Sequence, residues 1–471
     1  MQFPSCHTIA PIVLVLGGLA LPALVSAQVE SDRLPASFTT PWWEELGDDV
    51  LAGLLRAAAE ANGDLEAAVA RMLGAEAATV RARSALLPTL SIDAQANTGP
   101  LDGLGFQFGG IPRGGGGATA LPPLYYTGSA SVRARYRLSS WGSEYRSLKA
   151  SRLEAIASRG DEDGVALDLV GLVAEAYYNA VSASSQVEVI TRQLDVGDQL
   201  AELSQLRYER GEATALEVLQ QRQQLATTRS TLPPARAQLR LEQARLQSLL
   251  GREPSRTSVA VGPGLPSVPD GDSSIFATNP EERPDIRGAE VRLEAAGARV
   301  SAAKWSILPT VELSANTGSQ FFRSLGTTTQ STWGASLTVS LPVLDGFDRS
   351  GRVREASANA RAAHSSYEQL RRSASAEIVI AEIQREERQA QLAALRGQLE
   401  ASERAFDESR RRYLAGLASV LDVLNAMNGM QQAELGVIRT HRTVLASWIQ
   451  LRQAVGGPWT RGLRRRLLET S

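Results

Sequence analysis

The sequence predicts a mainly α-helical chain carrying four membrane-type β-strands, built from one helix–strand–strand–helix unit used twice. Two self-matches and one pattern predict it. LLPTLSIDAQANTG around Pro88 recurs as ILPTVELSANTG around Pro309 (309 − 88 = 221). At that offset Asp64 falls on Asp285, Arg71 on Arg292, Ala75 on Ala296 and Arg83 on Lys304. RYERGEATALEVL, from Arg207 to Leu219, recurs as RYLAGLASVLDVL, from Arg412 to Leu424 (412 − 207 = 205). After each of the two prolines, a helical pattern gives way to runs that alternate apolar and polar residues.

The first 27 residues are expected to be a secretory signal. Ile9 to Val25 is mostly apolar, and Val25-Ser26-Ala27 places small residues at −3 and −1 before a polar start at Gln28. Its n-region holds no Lys or Arg, so the competing reading is an uncleaved anchor helix. The only cysteine, Cys6, precedes the apolar run and is badly placed to carry a lipid. Beyond residue 27 no stretch approaches the ~18 apolar residues of a spanning helix, so any membrane crossing must be made by strands.

A polar leader over residues 28–47 ends in Pro41-Trp42-Trp43, and the first repeat covers 48–250. A helix is expected from Asp48 to about Leu87, with Leu51, Leu54, Leu55, Leu65, Val69 and Met72 at steps of three and four; Pro88 ends it. A strand over about 89–99 alternates Leu90, Ile92, Ala94, Ala96 with Ser91, Asp93, Gln95, Asn97. A Gly/Pro-rich loop, roughly 100–126, lacks the Gly-Lys-Ser/Thr of a phosphate loop. A strand over about 129–138 then sets Ala130, Val132, Ala134, Tyr136 against Arg133, Arg135 and Arg137. Three arginines on one strand face suit a wet interior, because a dry core would leave them unpaired.

From Gly142 to Arg210 the pattern is helical with no proline, which implies a rod of about 100 Å. A second helix runs from about Ala215 to Leu250, and Pro233-Pro234 predicts a kink or break inside it. Residues 251–284 are a linker, and 285–456 repeat the plan with strands over about 311–318 and 332–341 and a loop near Arg323 to Gln330. In the second long helix Leu392, Leu395, Leu399, Ser402, Phe406, Ser409 and Tyr413 keep a coiled-coil spacing. Residues 457–471, with Arg461, Arg464, Arg465 and Arg466 against Glu469, are expected to be an unstructured basic tail.

Each strand has one apolar and one polar face, the pattern of a membrane barrel with lipid outside and water within; the competing reading is a soluble sandwich. Barrel-lumen candidates are Arg133, Arg135, Arg137, Asp93 and Glu312. Four strands cannot close around anything, so the barrel must be shared with other copies in a symmetric ring. In both hairpin tips a glycine, Gly211 or Gly416, suits a left-handed residue just past a helix end. Thr214 and Ser419 then cap the next helices, with Glu217 and Asp422 completing capping boxes. Glu217, Gln220, Asp422 and Asn425 can serve as caps, as rings around a narrow opening, or as both.

The charge balance, 49 Lys+Arg against 51 Asp+Glu for a net −2, argues against nucleic acid as partner. The histidines His364 and His441 are isolated from each other and from metal-ligand spacing, which leaves no cofactor or catalytic centre to name.

The paired LLPT and ILPT junctions, the paired RYxxG…(D/E)VL tips and the duplication resemble the TolC family of outer-membrane channels. WWEELGDDVLAGLLRAAAEANGDLEAA, LLGREP and ERPDIRGAEVRLEAAGARV resemble its NodT-like branch, which serves resistance–nodulation–division pumps. The resemblance spans roughly Trp42 to Trp459. It implies a homotrimer whose twelve-stranded β-barrel in the outer membrane of a Gram-negative bacterium continues into a long periplasmic α-helical barrel. Residues 28–47 and 251–284 would then be equatorial. The partners implied are a periplasmic adaptor, which would touch the tips at Gly211, Thr214, Gly416 and Ser419, and an inner-membrane transporter. It also implies an entrance held by Glu217, Tyr413, Asp422 and Asn425. Two departures stand out: Ala418 falls where some relatives carry a latch arginine, and the branch's lipid-bearing cysteine has no counterpart. The function implied is passive efflux of drugs, toxic compounds or metal ions. The alternatives are a duct for type I protein secretion and a non-conducting periplasmic coiled-coil scaffold.

Overall fold

The computed structural model describes residues 41–100, 124–139, 141–255, 262, 264–269, 280–323 and 327–469. The expected signal segment, Cys6, most of the Gly/Pro-rich loop and much of the linker lie outside them.

Helix α1 (Trp42–Glu45) is followed by α2 (Asp49–Ala61) and α3 (Gly63–Ser84). One helix was expected over this stretch, and Asn62 divides it. Its side chain accepts from the Asp64 and Leu65 amides at 3.0 and 3.1 Å, starting α3, and donates to the Leu249 carbonyl at 3.0 Å. An Asn at an N-cap satisfies amides that a continuous helix would not leave open, and the tertiary bond fixes the bend.

Strands β1 (Thr89–Pro100) and β2 (Leu124–Ser139) lead into α4 (Ser143–Glu209) and α5 (Ala215–Leu249). The second unit is α6 (Pro284–Trp305), β3 (Thr310–Arg323), β4 (Thr327–Ser340), α7 (Asp348–Leu414) and α8 (Val420–Val455). Helices α4 and α7 have 67 residues each, about 100 Å of rod. β2, β3 and β4 extend beyond the expected ends; Thr327 to Gln330, read as loop, is strand, in keeping with threonine's preference for the pleated backbone.

Of the kink or break expected at Pro233-Pro234, the break does not occur: α5 is one helix through both. Both prolines are exposed, and the carbonyls they leave without a helical donor, those of Arg229 and Ser230, are on exposed residues where water can serve.

Charged pairs and close backbone contacts hold the helices side by side. Arg159 reaches Glu76 at 2.6 Å between α4 and α3, Arg299 reaches Glu154 at 2.8 Å between α6 and α4, and Arg442 reaches Glu175 at 3.0 Å between α8 and α4. Where α4 passes α6, a Cβ on Gly160 would lie 3.1 Å from the Pro284 carbonyl and 3.4 Å from the Gly288 Cα, so the two rods touch through glycine.

The largest core lies where both ends of the described chain meet the rods. Trp42 packs edge-on against Trp448 at 5.9 Å and Trp43 against Trp459 at 5.6 Å, with Leu51, Leu55, Tyr177, Leu246 and Leu250 buried around them. The C-terminal residues correct the expectation of an unstructured tail. They form a 3-10 turn (Pro458–Thr460) and helix α9 (Leu463–Glu469), whose Leu463 and Leu467 enter that core. Asp163 on α4 receives the Gly462 and Leu463 amides at 2.9 and 3.3 Å, which anchors the start of α9.

Candidate conduit surface and helix-hairpin tips

The four strands form one antiparallel sheet in the order β1-β2-β3-β4, so among the described residues β1 and β4 are open edges. Residues paired across an antiparallel ladder share a face. The rows Ser91–Arg133–Asn316–Gly334 and Thr89–Arg135–Ser314–Ser336 therefore carry polar side chains and no apolar one. The rows Ile92–Val132–Thr317–Trp333 and Leu90–Ala134–Ala315–Ala335 carry the apolar side. Register keeps the two surfaces separate across both repeats, because a slip of one residue would exchange them.

Arg133, Arg135 and Arg137 lie on the polar face with Asp93 and Glu312. Arg133 approaches Asp93 at 3.4 Å, and both side chains are about half exposed. Arg137 sits directly across from Glu312 on β3 and bonds Glu144 of α4 at 2.7 Å, joining the sheet to the first turn of the rod. On the opposite face Ile92 is 77% exposed and Trp333 84%, an apolar surface that the described residues do not cover.

At the far end the two tips are built alike. Gly211 has φ +74° and Gly416 φ +72°, the left-handed region that a glycine enters without a Cβ clash. In each, two bonds close the helix end: Glu212 and Gly211 amides to the Arg207 and Tyr208 carbonyls, and Leu417 and Gly416 amides to those of Arg412 and Tyr413. Both capping boxes are formed. Thr214 and Ser419 each accept from the amide of Glu217 or Asp422 at 3.3 Å, and those carboxylates accept in return from the Thr214 and Ser419 amides at 3.3 and 3.0 Å. The hydrogen bonds from Ser419 hold the Asp422 carboxyl below its ordinary range.

Asp422 and Asn425 are exposed, and Glu217 and Gln220 half-buried. About one turn further in, Gln224 and Asn428 bond each other between α5 and α8, so the two hairpins lie side by side. Tyr413 is 2% exposed, packed with Leu200, Phe406, Val423 and Met427. Sequence reasoning assigned no role to Arg207. Its guanidinium lies 4.6 Å from the Tyr413 ring centre and donates to the Tyr413 carbonyl at 2.9 Å, linking the first hairpin to the second. The only hint of it was the doubled Arg-Tyr dipeptide of the two tips. Ala418 is half-buried, and the cation beside Tyr413 is Arg207.

Comparison with known proteins fits this arrangement. The profile of the family described as Outer membrane efflux protein matches residues 54–252 and 280–457. The pyoverdine export outer membrane protein OpmQ of Pseudomonas aeruginosa is 29% identical over 450 residues, covering 94% of this chain and 92% of its own. The cation efflux system protein CusC of Escherichia coli O157:H7 is 25% identical over 338 residues, covering 70% and 73%. The solved CmeC outer membrane channel of Campylobacter jejuni superimposes with a TM-score of 0.78 at 19% identity, over 96% of this chain and 98% of that one.

Proposed function

The chain belongs to the outer membrane efflux protein family, and from that premise we propose that three copies close one twelve-stranded barrel through which small molecules leave the periplasm. It is a passive outer-membrane channel with a large periplasmic helical part, and no enzyme. Among the described residues no group of three or more His, Cys, Asp or Glu is placed to hold a metal ion.

One observation carries the proposal: a four-stranded sheet whose register keeps an arginine-bearing face apart from an apolar one, and whose edges, β1 and β4, are unpaired among the described residues. Exposed edges of this length are aggregation sites unless something pairs with them, and the β1 of a second copy against β4 is the pairing that closes. Twelve strands leave room for a wet lumen, and Arg133, Arg135, Arg137, Asp93 and Glu312 would line it. The long rods would continue the duct through the periplasm to an entrance at the tips, where Glu217, Gln220, Tyr413, Asp422 and Asn425 narrow the opening.

The channel works with a periplasmic adaptor and a resistance–nodulation–division pump. We assign the adaptor contact to the tips around Gly211, Thr214, Gly416 and Ser419. The cargo assigned here is small molecules. Relatives matched over most of this chain support it, being named for pyoverdine export, toluene efflux and cation efflux.

The test is the mass and conductance of the purified mature protein. A trimer in detergent that opens discrete conductance steps in planar bilayers is expected. A monomer stable without amphiphile, or a trimer that never conducts, would overturn the reading in favour of a scaffold.

A further inference from the structure

The turn from β4 into α7 carries three of the four most exposed large apolar side chains among the described residues: Val343 at 92%, Leu344 at 89% and Phe347 at 80%. The fourth is Trp333, on the outer face of β4. Trp333, Leu337 and Val339 alternate along that face, and Leu341 and Val343 continue the same odd-numbered series beyond Ser340, where the strand ends. The run of exposed apolar residues therefore continues in sequence from the strand into the turn.

The turn is held, not loose. The Asp345 carboxylate accepts from the Phe347 and Arg349 amides at 3.1 and 3.3 Å, and Arg349 donates to the Ile307 carbonyl at 2.7 Å. Gly346 and Phe347 have φ +63° and +70° in succession. A bulky residue in the left-handed region is strained, and this one projects into solvent. The corresponding corner of the first unit disposes of its aromatic differently. Trp141, also left-handed at φ +53°, is 48% exposed and donates its indole N–H to the Pro309 carbonyl at 2.5 Å. One corner ties its ring to the chain, and the other presents it.

We propose that Val343, Leu344 and Phe347 sit in the inner leaflet of the outer membrane, at the boundary of headgroups and acyl chains, so that the β4–α7 turn is a lipid-embedded wedge. The proposal rests on the barrel reading above, since it extends the lipid-facing stripe of β4 past the last strand residue. A phenylalanine beside two aliphatic side chains suits that boundary, where apolar bodies are buried and the backbone stays hydrated. A neighbour that continues the sheet pairs with the edge of β4 in its plane, and is the competing cover for the turn that follows.

The experiment uses the full chain with Cys6→Ser and single Val343→Cys, Leu344→Cys or Phe347→Cys changes, labelled with an environment-sensitive fluorophore in phosphatidylcholine vesicles. Trp333→Cys reports on the barrel band, and Leu417→Cys, at a tip residue 79% exposed, serves as the aqueous control. Lipids spin-labelled near the headgroup are expected to quench the three turn positions, and lipids spin-labelled along the acyl chain to quench Trp333→Cys, each at least threefold more than Leu417→Cys. Quenching at position 333 with none at 343, 344 and 347 would overturn the wedge and leave the barrel standing. No quenching at 333 would overturn the barrel reading, and the wedge with it. Blue-shifted but unquenched turn positions that cross-link between copies would assign the patch to a neighbouring protomer and likewise overturn the wedge.

Discussion

Arg207 and Tyr413 join the two hairpins of the chain: the guanidinium covers the ring at 4.6 Å and donates to the backbone carbonyl of the same residue at 2.9 Å. Their repeat-related partners do not meet this way. Tyr208 is 45% exposed, and Arg412 bonds Glu408 on its own helix at 2.8 Å. The duplicated motif has thus diverged into one buried link and one solvated pair. A charged hydrogen bond contributes about 1.5–3 kcal/mol, and the ring contact adds about 0.5–1 kcal/mol. Arg207→Ala should therefore loosen the tips by about 2 kcal/mol, an approximately thirtyfold faster amide exchange at Gly416 and Leu417. Hydrogen-exchange mass spectrometry checks it; unchanged exchange there would show that the hairpins are held without this link.

The Asp422 carboxylate faces solvent at the tip while it completes a capping box. The two roles separate by substitution. Asp422→Asn removes the charge and keeps an oxygen for the Ser419 amide, whereas Asp422→Ala removes both. The charge at the helix start adds only modestly to stability, too little for its loss to unfold the hairpin. Both variants should raise single-channel conductance and weaken block by divalent cations, with Asp422→Ala the less stable of the two. Because hydrogen bonds from Ser419 hold this carboxyl below its ordinary range, wild-type block should persist as pH falls through that range and fade only beneath it. Identical traces in all three proteins would remove Asp422 from the entrance.

The alternation along β2 makes a sharp prediction about water. With Cys6 replaced, cysteines at Arg133 and Arg135 should react with a membrane-impermeant thiol reagent at least tenfold faster than cysteines at Val132 and Ala134. Neighbouring positions differ only in the face they share, so unequal strand stability cannot imitate the pattern. Equal rates would mean that both faces are wet, and the reverse order that lipid lies on the arginine side.

Much of this architecture was legible because its signals are local. Pro88 and Pro309 stop helices, Gly211 and Gly416 turn them, and strand faces show as alternation; each depends on residues within a turn or two. What escaped depends on distant partners. Asn62 reads as mid-helix until its bond to Leu249, 187 residues away, is known. Arg207 acts on a carbonyl 206 residues away. The helix α9 has only Leu463 and Leu467 to announce it amid arginines, and its N-terminal amides are received by Asp163, about 300 residues earlier in the chain. At Pro233-Pro234 the sequence allowed a kink or a break, and a local rule could not decide between them; the helix continues through both prolines, whose positions are exposed.

Asp163 also sets a pH dependence. Burial pushes its carboxyl up to about 6, against the lowering effect of the Leu463 and Gly462 amides and of Arg287 at 3.8 Å. An acid whose pKa is higher folded than unfolded binds more protons in the folded state between the two values. Its contribution to stability is therefore full below the ordinary aspartate range and is lost as pH rises through about 6. The wild-type protein should hold α9 more firmly at pH 5 than at pH 7. Asp163→Asn keeps an acceptor for the two amides and cannot ionise, so its α9 should be held alike at both values. Limited proteolysis after the arginines at 464 to 466, with time courses at pH 5 and 7 corrected for protease activity on an unfolded substrate, reads the difference directly. If wild type and Asp163→Asn show the same ratio of cleavage rates between the two pH values, then Asp163 does not titrate in the docked state, and the amides rather than burial control its charge.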